Sequence, residues 1–199
     1  NPNEYQYPYG AFKHVLAFGC HKELLGEGKD DFESLKQFVD REKDWAFGYL
    51  SYDLKNQLEV LKTNQKDFIG FPILQFFIPK HLIFLSNDSI EIQSLENAEK
   101  LKQEIEKEEL SVKQTLLKPI TIQSRLSKAA YLETVNHLQN LIHKGDIYET
   151  NFCQEYYAEG VELNALATYL SLNATSPMPF SCYVKYRDKH LLCASPEQY

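Results

Sequence analysis

The chain has no surplus of positive charge: 28 acidic against 21 basic side chains give a formal charge of −7 over 199 residues. No Lys/Arg cluster makes a local exception, so phosphate backbones and anionic lipid would be repelled and no nucleic-acid partner is expected. A small anionic substrate stays compatible, because a few placed cations or a metal in a cleft override net charge locally. A long apolar run is also lacking. The longest, Phe68 to Leu85, is broken by Pro72, Gln75, Pro79, Lys80 and His81, which excludes a spanning helix there, and no membrane association is expected. Cys20, Cys153, Cys182 and Cys193 show neither Cys-x-x-Cys spacing nor the density of a small disulfide scaffold. They read as buried thiols in a reducing compartment, and a cytoplasmic location is expected. The opening NPNEYQYPYG has neither an initiating Met nor the apolar core of a signal peptide, so the chain is expected to start inside its reading frame. His14, His21, His81, His137, His143 and His190 lack metal-ligand spacing. Gly26-Glu27-Gly28-Lys29 lacks the earlier Gly and later Ser/Thr of a phosphate loop and reads as a solvent loop. Nothing in the pattern supports Cys153 and His143 as nucleophile and base.

What is present is the composition of a folded protein, 43% hydrophobic and 25% charged, with a 13% aromatic share drawn mainly from Tyr and Phe. Phe12 to Phe18 predicts a strand and Phe32 to Val39 a helix. Trp45 to Tyr52 alternates as a strand, with Gly48 marking a close backbone or ring approach. Ile73 to Ile78, His81 to Ser86 and Ile90 to Gln93 read as an antiparallel meander with turns at Pro79-Lys80 and Asn87-Asp88. Glu96 to Leu110 predicts a surface helix with Glu96–Lys100 and Lys102–Glu106 pairs.

Ser127 is placed to cap a helix carrying Tyr131, Val135, Leu138 and Ile142 at its buried spacing, and Gly145 to close it. Ile147 to Tyr157 alternates as a strand. A helix over Leu163 to Leu172 ends before Pro177, and Phe180 to Tyr186 folds back on His190 to Ala194 across Arg187-Asp188-Lys189 as a hairpin. The expected class is α+β, with antiparallel β-sheets packed together and helices outside. A division is expected between residues 1–110, an N-terminal antiparallel α+β part, and 111–199, the start of a second, truncated domain.

Three segments carry more than fold: HKGDIYETNF at His143 to Phe152, SPMPFSCY at Ser176 to Tyr183, and ASPEQY at Ala194 to Tyr199. With Tyr131 ahead of the first and Asn151 inside it, their order and spacing resemble the chorismate-utilising enzymes, the family that holds component I of aminodeoxychorismate synthase and of anthranilate synthase. GYLSYDLKNQLE at Gly48 to Glu59, followed by Phe71-Pro72, is similar to that family's first-half signature. Glu149-Thr150 departs from it, since members usually carry Gln and an aliphatic residue there.

The resemblance implies the anthranilate synthase component I-like fold, incomplete at the C-terminus. It further implies Mg²⁺-dependent amination of chorismate, with ammonia from a glutamine amidotransferase partner subunit. The short N-terminus and the Tyr-Pro-Tyr-Gly opening favour the aminodeoxychorismate branch, of folate biosynthesis, over the anthranilate branch. Family metal ligands and acid/base groups would fall beyond Tyr199, so no catalytic residue and no metal ligand is assigned in this chain. A third reading is a non-catalytic effector-binding or amidotransferase-docking module. In the family a tryptophan-type effector is held by an N-terminal Tyr-containing loop and a Pro-aromatic pair; Tyr9, Gly10, Ala11 and Phe12 resemble the first element, and Pro179, Phe180 and Ser181 the second. Aromatic walls and free backbone groups of Pro-rich turns suit such a ligand.

Overall fold

A computed structural model describes residues 14–61, 66–86, 88–108 and 120–197. They fall into two compact units: one within Asn1–Val112 together with Ala165–Tyr199, the other within Lys113–Asn164. The segment from Ala165 onward therefore groups with the first part of the chain, whereas the sequence reading divided the chain once, near residue 110.

The first unit is built on a long central strand. In chain order its elements are β1 (His14–Leu25), α1 (Asp31–Glu42), β2 (Phe47–Leu50), a 3₁₀ turn (Tyr52–Gln57), β3 (Leu74–Leu85), β4 (Ile90–Ser94) and α2 (Ala98–Lys107). All three other strands pair with β3 antiparallel: β1 along one edge, β2 and β4 end to end along the other. Leu74, Ile78 and Leu82 of β3 are buried with Phe38 and Leu54. Spacings of four put the β3 residues on one face of the strand.

The expected turn at Pro79-Lys80 is not there; β3 runs straight through it. A proline in a strand interior forfeits a ladder bond unless it meets a bulge or an open edge, and Pro79 meets both. On the β1 side it faces Cys20 where the register shifts between Cys20 and Lys22. On the other side β2 ends its pairing at Phe77 and β4 begins at His81. The turn expected at Asn87-Asp88 is closed by Ser86 N–H donating to the Ser89 carbonyl at 2.9 Å; Asn87 lies outside the described residues, as does Phe12 of the predicted first strand. The close approach at Gly48 holds: a Cβ there would lie 2.0 Å from the Gln75 carbonyl oxygen and 2.6 Å from Phe76 Cγ.

Helix α2 starts only at Ala98, where the Asn97 side chain accepts from Lys100 N–H at 2.9 Å. Glu96 thus precedes the helix and pairs with Lys80 at 3.8 Å rather than with Lys100, while Lys102–Glu106 stands at 4.0 Å. The unit is completed by α4 (Ala165–Thr175) and the hairpin β7 (Cys182–Tyr186) and β8 (Lys189–Cys193), which follow the second unit in sequence.

The second unit holds β5 (Gln123–Ser124), α3 (Lys128–Lys144) and β6 (Tyr156–Tyr157). Ser127 caps α3 by accepting from Ala130 N–H at 3.1 Å. Gly145 closes it at φ 81°, with Gly145 N–H donating to the Ile142 carbonyl and Asp146 N–H to the Leu141 carbonyl, both at 3.0 Å. That is the paired bonding of a Schellman closure. The strand expected over Ile147 to Tyr157 is confined to Tyr156-Tyr157, which pair with Ser124 and Gln123. Alternation forms a strand only where a neighbour supplies backbone bonds, and among the described residues that neighbour is two residues long. The α+β class with antiparallel sheets expected from the sequence is what the structure shows.

Candidate functional site

In the first unit the second and third motifs meet. Helix α4 ends at Thr175, with Ser176 N–H on the Leu172 carbonyl at 2.8 Å, and Pro177 cannot continue it. The chain turns through Pro179-Phe180, Ser181 N–H reaching back to the Met178 carbonyl at 3.3 Å, and enters β7. Phe180 N–H donates to the Ser195 carbonyl at 3.2 Å, which fixes the Pro-aromatic turn beside the Ser195-Pro196-Glu197 segment. Ser195 Oγ in turn donates to the Glu197 carbonyl at 2.9 Å and accepts from Glu197 N–H at 3.2 Å.

Ser181 is buried, and its hydroxyl is committed. Its Oγ donates to the Cys193 carbonyl at 3.1 Å and lies 2.9 Å from the Tyr169 hydroxyl. A hydroxyl has one proton to give, so the chain of bonds runs from Tyr169 O–H to Ser181 Oγ and on to the Cys193 carbonyl. Tyr169 and Tyr186 are buried, and the Tyr183 ring lies 5.7 Å from that of Tyr169. Ser181 is therefore an internal support of the turn. Tyr169 was not singled out in the sequence; its only local signal is an aromatic on the helix that feeds the Pro-rich turn. Tyr9, Gly10, Ala11 and Phe12 lie outside the described residues.

The first-half signature contributes a second aromatic cluster to the same unit. Tyr49 on β2 meets Phe71 edge-on, with ring centroids 5.6 Å apart. The Tyr49 hydroxyl is enclosed and has no hydrogen-bond partner among the described residues. Burial first, and the Tyr186 phenol second, push its pKa up to about 12. The loop ahead of Phe71 is fixed by Asp67, whose carboxylate accepts from Gly70 N–H at 2.9 Å and Ile69 N–H at 2.8 Å and is held below the ordinary carboxylate range by them.

The first motif belongs to the second unit. Tyr131 of α3 stacks on Phe152 with centroids 5.1 Å apart, so the family segment folds back on the helix that precedes it. Gln154 bonds Ser124 and the Leu126 carbonyl. Arg125 bonds Glu155 at 3.0 Å and lies 3.6 Å over the Tyr157 ring. These contacts hold the segment in place; Asn151 and Glu149 are exposed.

The thiols correct the sequence reading. Cys20, Cys153 and Cys182 are exposed and Cys193 half-buried: Cys20 lies in the exposed middle of β1, Cys153 in a stretch that forms no strand, and Cys182 at the first residue of β7. Among the described residues no group of three or more His, Cys, Asp or Glu is placed to hold a metal ion, and no helix is long and apolar enough to cross a membrane.

This arrangement is the fold of the chorismate enzymes: residues 4–199 match the family model described as chorismate binding enzyme, and the chain belongs to that family. Among individual proteins it is similar to anthranilate synthase component 1 of Buchnera aphidicola subsp. Rhopalosiphum padi, 26% identical over 181 residues, covering 82% of this chain and 35% of that protein. It is similar also to aminodeoxychorismate synthase component 1 of Escherichia coli K12, 24% identical over 158 residues, covering 77% of this chain and 34% of that protein. The crystal structure of anthranilate synthase component I from Streptococcus pneumoniae TIGR4 superposes with a TM-score of 0.76 at 19% identity, covering 98% of this chain and 54% of that one. The chain thus spans about a third of the length of these two curated relatives.

Proposed function

We propose that this chain serves the amination of chorismate as component I of aminodeoxychorismate synthase, with ammonia delivered by a glutamine amidotransferase subunit in the cytoplasm. The observation that carries the reading is the family match across residues 4–199, a range that includes all three motifs. The Tyr-Pro-Tyr-Gly opening and the Escherichia coli relative support this branch. Ammonia would replace a ring hydroxyl of chorismate, giving 4-amino-4-deoxychorismate and water. The magnesium that such a reaction uses would stabilise the leaving hydroxyl; the described residues offer no cluster that fits it.

A second reading is anthranilate synthase component I, favoured by the Buchnera relative. Complementation separates the two. The gene carrying this sequence is introduced into a bacterial strain that needs p-aminobenzoate for want of component I, and into one that needs tryptophan for want of anthranilate synthase. Growth without p-aminobenzoate supports the first reading, growth without tryptophan the second, and rescue of neither removes both in favour of a non-catalytic effector-binding or amidotransferase-docking module.

An aromatic amino acid, tryptophan, is the effector proposed for the turn at Pro179, Phe180 and Ser181 with Tyr9, Gly10, Ala11 and Phe12. Support comes from the turn itself: hydrogen bonds of the Phe180 N–H and the Ser181 hydroxyl fix it, which lowers the cost of ordering a site there. Calorimetric titration of the chain with tryptophan tests it. Binding that weakens at least tenfold in Phe180→Ala is expected; unchanged binding in that variant, or none in the parent, removes the pocket.

A further inference from the structure

Cys182 and Cys193 open and close the β7–β8 hairpin. They are direct register partners, on strands joined by the tight turn at Arg187-Asp188. Directly opposed residues of an antiparallel pair share a face, with Cα atoms about 4.5–5.5 Å apart. That separation falls inside the range of roughly 4.4–6.8 Å that a disulfide spans. Cys182 is open to solvent and Cys193 is half-buried.

We propose that Cys182 and Cys193 form a reversible oxidation site, closing an intrachain disulfide across the base of the hairpin when a two-electron thiol oxidant reaches the exposed Cys182. With a peroxide, the Cys182 thiolate attacks one oxygen, the O–O bond breaks and hydroxide leaves, giving a sulfenic acid. The Cys193 thiolate then attacks that sulfur, the S–S bond forms and the second hydroxide departs. Two sulfurs lose two electrons, two peroxide oxygens gain them, and the two thiol protons complete two waters. A dithiol reductant reverses the bond by exchange. Burial, and next the neighbouring Cys193, hold the Cys182 thiol above its ordinary pKa. Oxidation is therefore slow at neutral pH and accelerates as pH rises. The cross-link would brace the peptide whose Cys193 carbonyl receives the Ser181 hydroxyl, so it acts on the turn between α4 and β7.

The test treats the purified chain with hydrogen peroxide, alkylates the remaining thiols, and digests it unreduced with trypsin and chymotrypsin. Lys185, Arg187 and Lys189 lie between the paired cysteines, and Tyr156 and Tyr157 separate Cys153 from Cys182. A pair of peptides joined through Cys182 and Cys193, lost on dithiothreitol and absent in both Cys182→Ser and Cys193→Ser, is expected. Oxidation should also raise Tm, reversibly and in the parent only. Cys182 and Cys193 still alkylated while Cys20 or Cys153 is oxidised would overturn the proposal, as would cross-links found only between chains.

Discussion

Asp31 and Gln57 hold each other twice across 26 residues of sequence: Asp31 N–H donates to Gln57 Oε1 at 3.0 Å, and Gln57 Nε2 donates to Asp31 Oδ2 at 2.7 Å. The same buried carboxylate accepts from Glu27 N–H at 2.9 Å and Gly28 N–H at 3.0 Å. One side chain thereby ties the loop after β1, the start of α1 and the 3₁₀ turn that ends the first-half family signature.

Asp31→Ala leaves three donors short of their acceptor and is expected to cost on the order of 3 kcal/mol of stability. Gln57→Ala should cost about 1–2 kcal/mol. The double variant should cost less than the sum, with a coupling of about 1 kcal/mol or more, since the residues share their bonds. Urea denaturation of the four proteins measures it, and strict additivity would contradict the pairing.

Tyr49 gives a pH signature. Its phenol ionises at about 12 in the folded chain against an ordinary value of 10.0. Below pH 10 both states keep the proton and no penalty exists. Between those values the unfolded chain releases its proton more readily, so stability falls as pH rises through that window. Tyr49→Phe is expected to flatten the fall, and to raise stability at neutral pH by on the order of 1 kcal/mol because a buried hydroxyl with no partner among the described residues is removed. Thermal melts of both proteins from pH 7 to 11 decide the matter; identical profiles would place the Tyr49 hydroxyl in water.

Two glycines are expected to respond differently to alanine. At Gly48 the added carbon meets backbone, 2.0 Å from the Gln75 carbonyl oxygen, so β2 must shift away from β3. A loss of about 3 kcal/mol or more, or failure to fold, follows. At Gly145 the space is open and only the left-handed φ of 81° resists, so about 1–2 kcal/mol is expected. Chemical denaturation ranks the two, and an equal or reversed ranking would contradict the β2–β3 approach.

Ser181→Ala removes the middle of the chain from Tyr169 to the Cys193 carbonyl. It should cost about 1–3 kcal/mol. Tyr169→Phe should cost about 1 kcal/mol in the parent and close to nothing once Ser181 is Ala. If tryptophan binding survives in Ser181→Ala with only a modest loss, the residue is a support of the turn; complete loss with the fold intact would make it a ligand contact.

Much of this was written in local patterns. The Ser127 cap, the Gly145 closure, the close approach at Gly48, the hairpin across Arg187-Asp188 and the three family motifs each depend on a residue's own conformational or hydrogen-bonding limits, which travel with the sequence. Other features depend on a neighbour. Pro79 reads as a turn in isolation, and became strand interior because a β1 bulge and the gap between β2 and β4 relieve it of a ladder bond. Ile147 to Glu155 alternates like a strand, and among the described residues no strand pairs with it; β5 pairs only with Tyr156-Tyr157, and the neighbouring Arg125 N–H reaches no further than the Glu155 carbonyl. The facing of Cys182 and Cys193, the relay from Tyr169 through Ser181, and the grip of Asp31 on Gln57 join residues 11 to 26 positions apart, and no local spacing announces them. The sequence by itself determined the family and the ends of its helices; the tertiary structure decided which strands found partners and which buried hydroxyls and carboxylates were satisfied, because hydrogen bonds between distant segments exist only once the chain has brought them together.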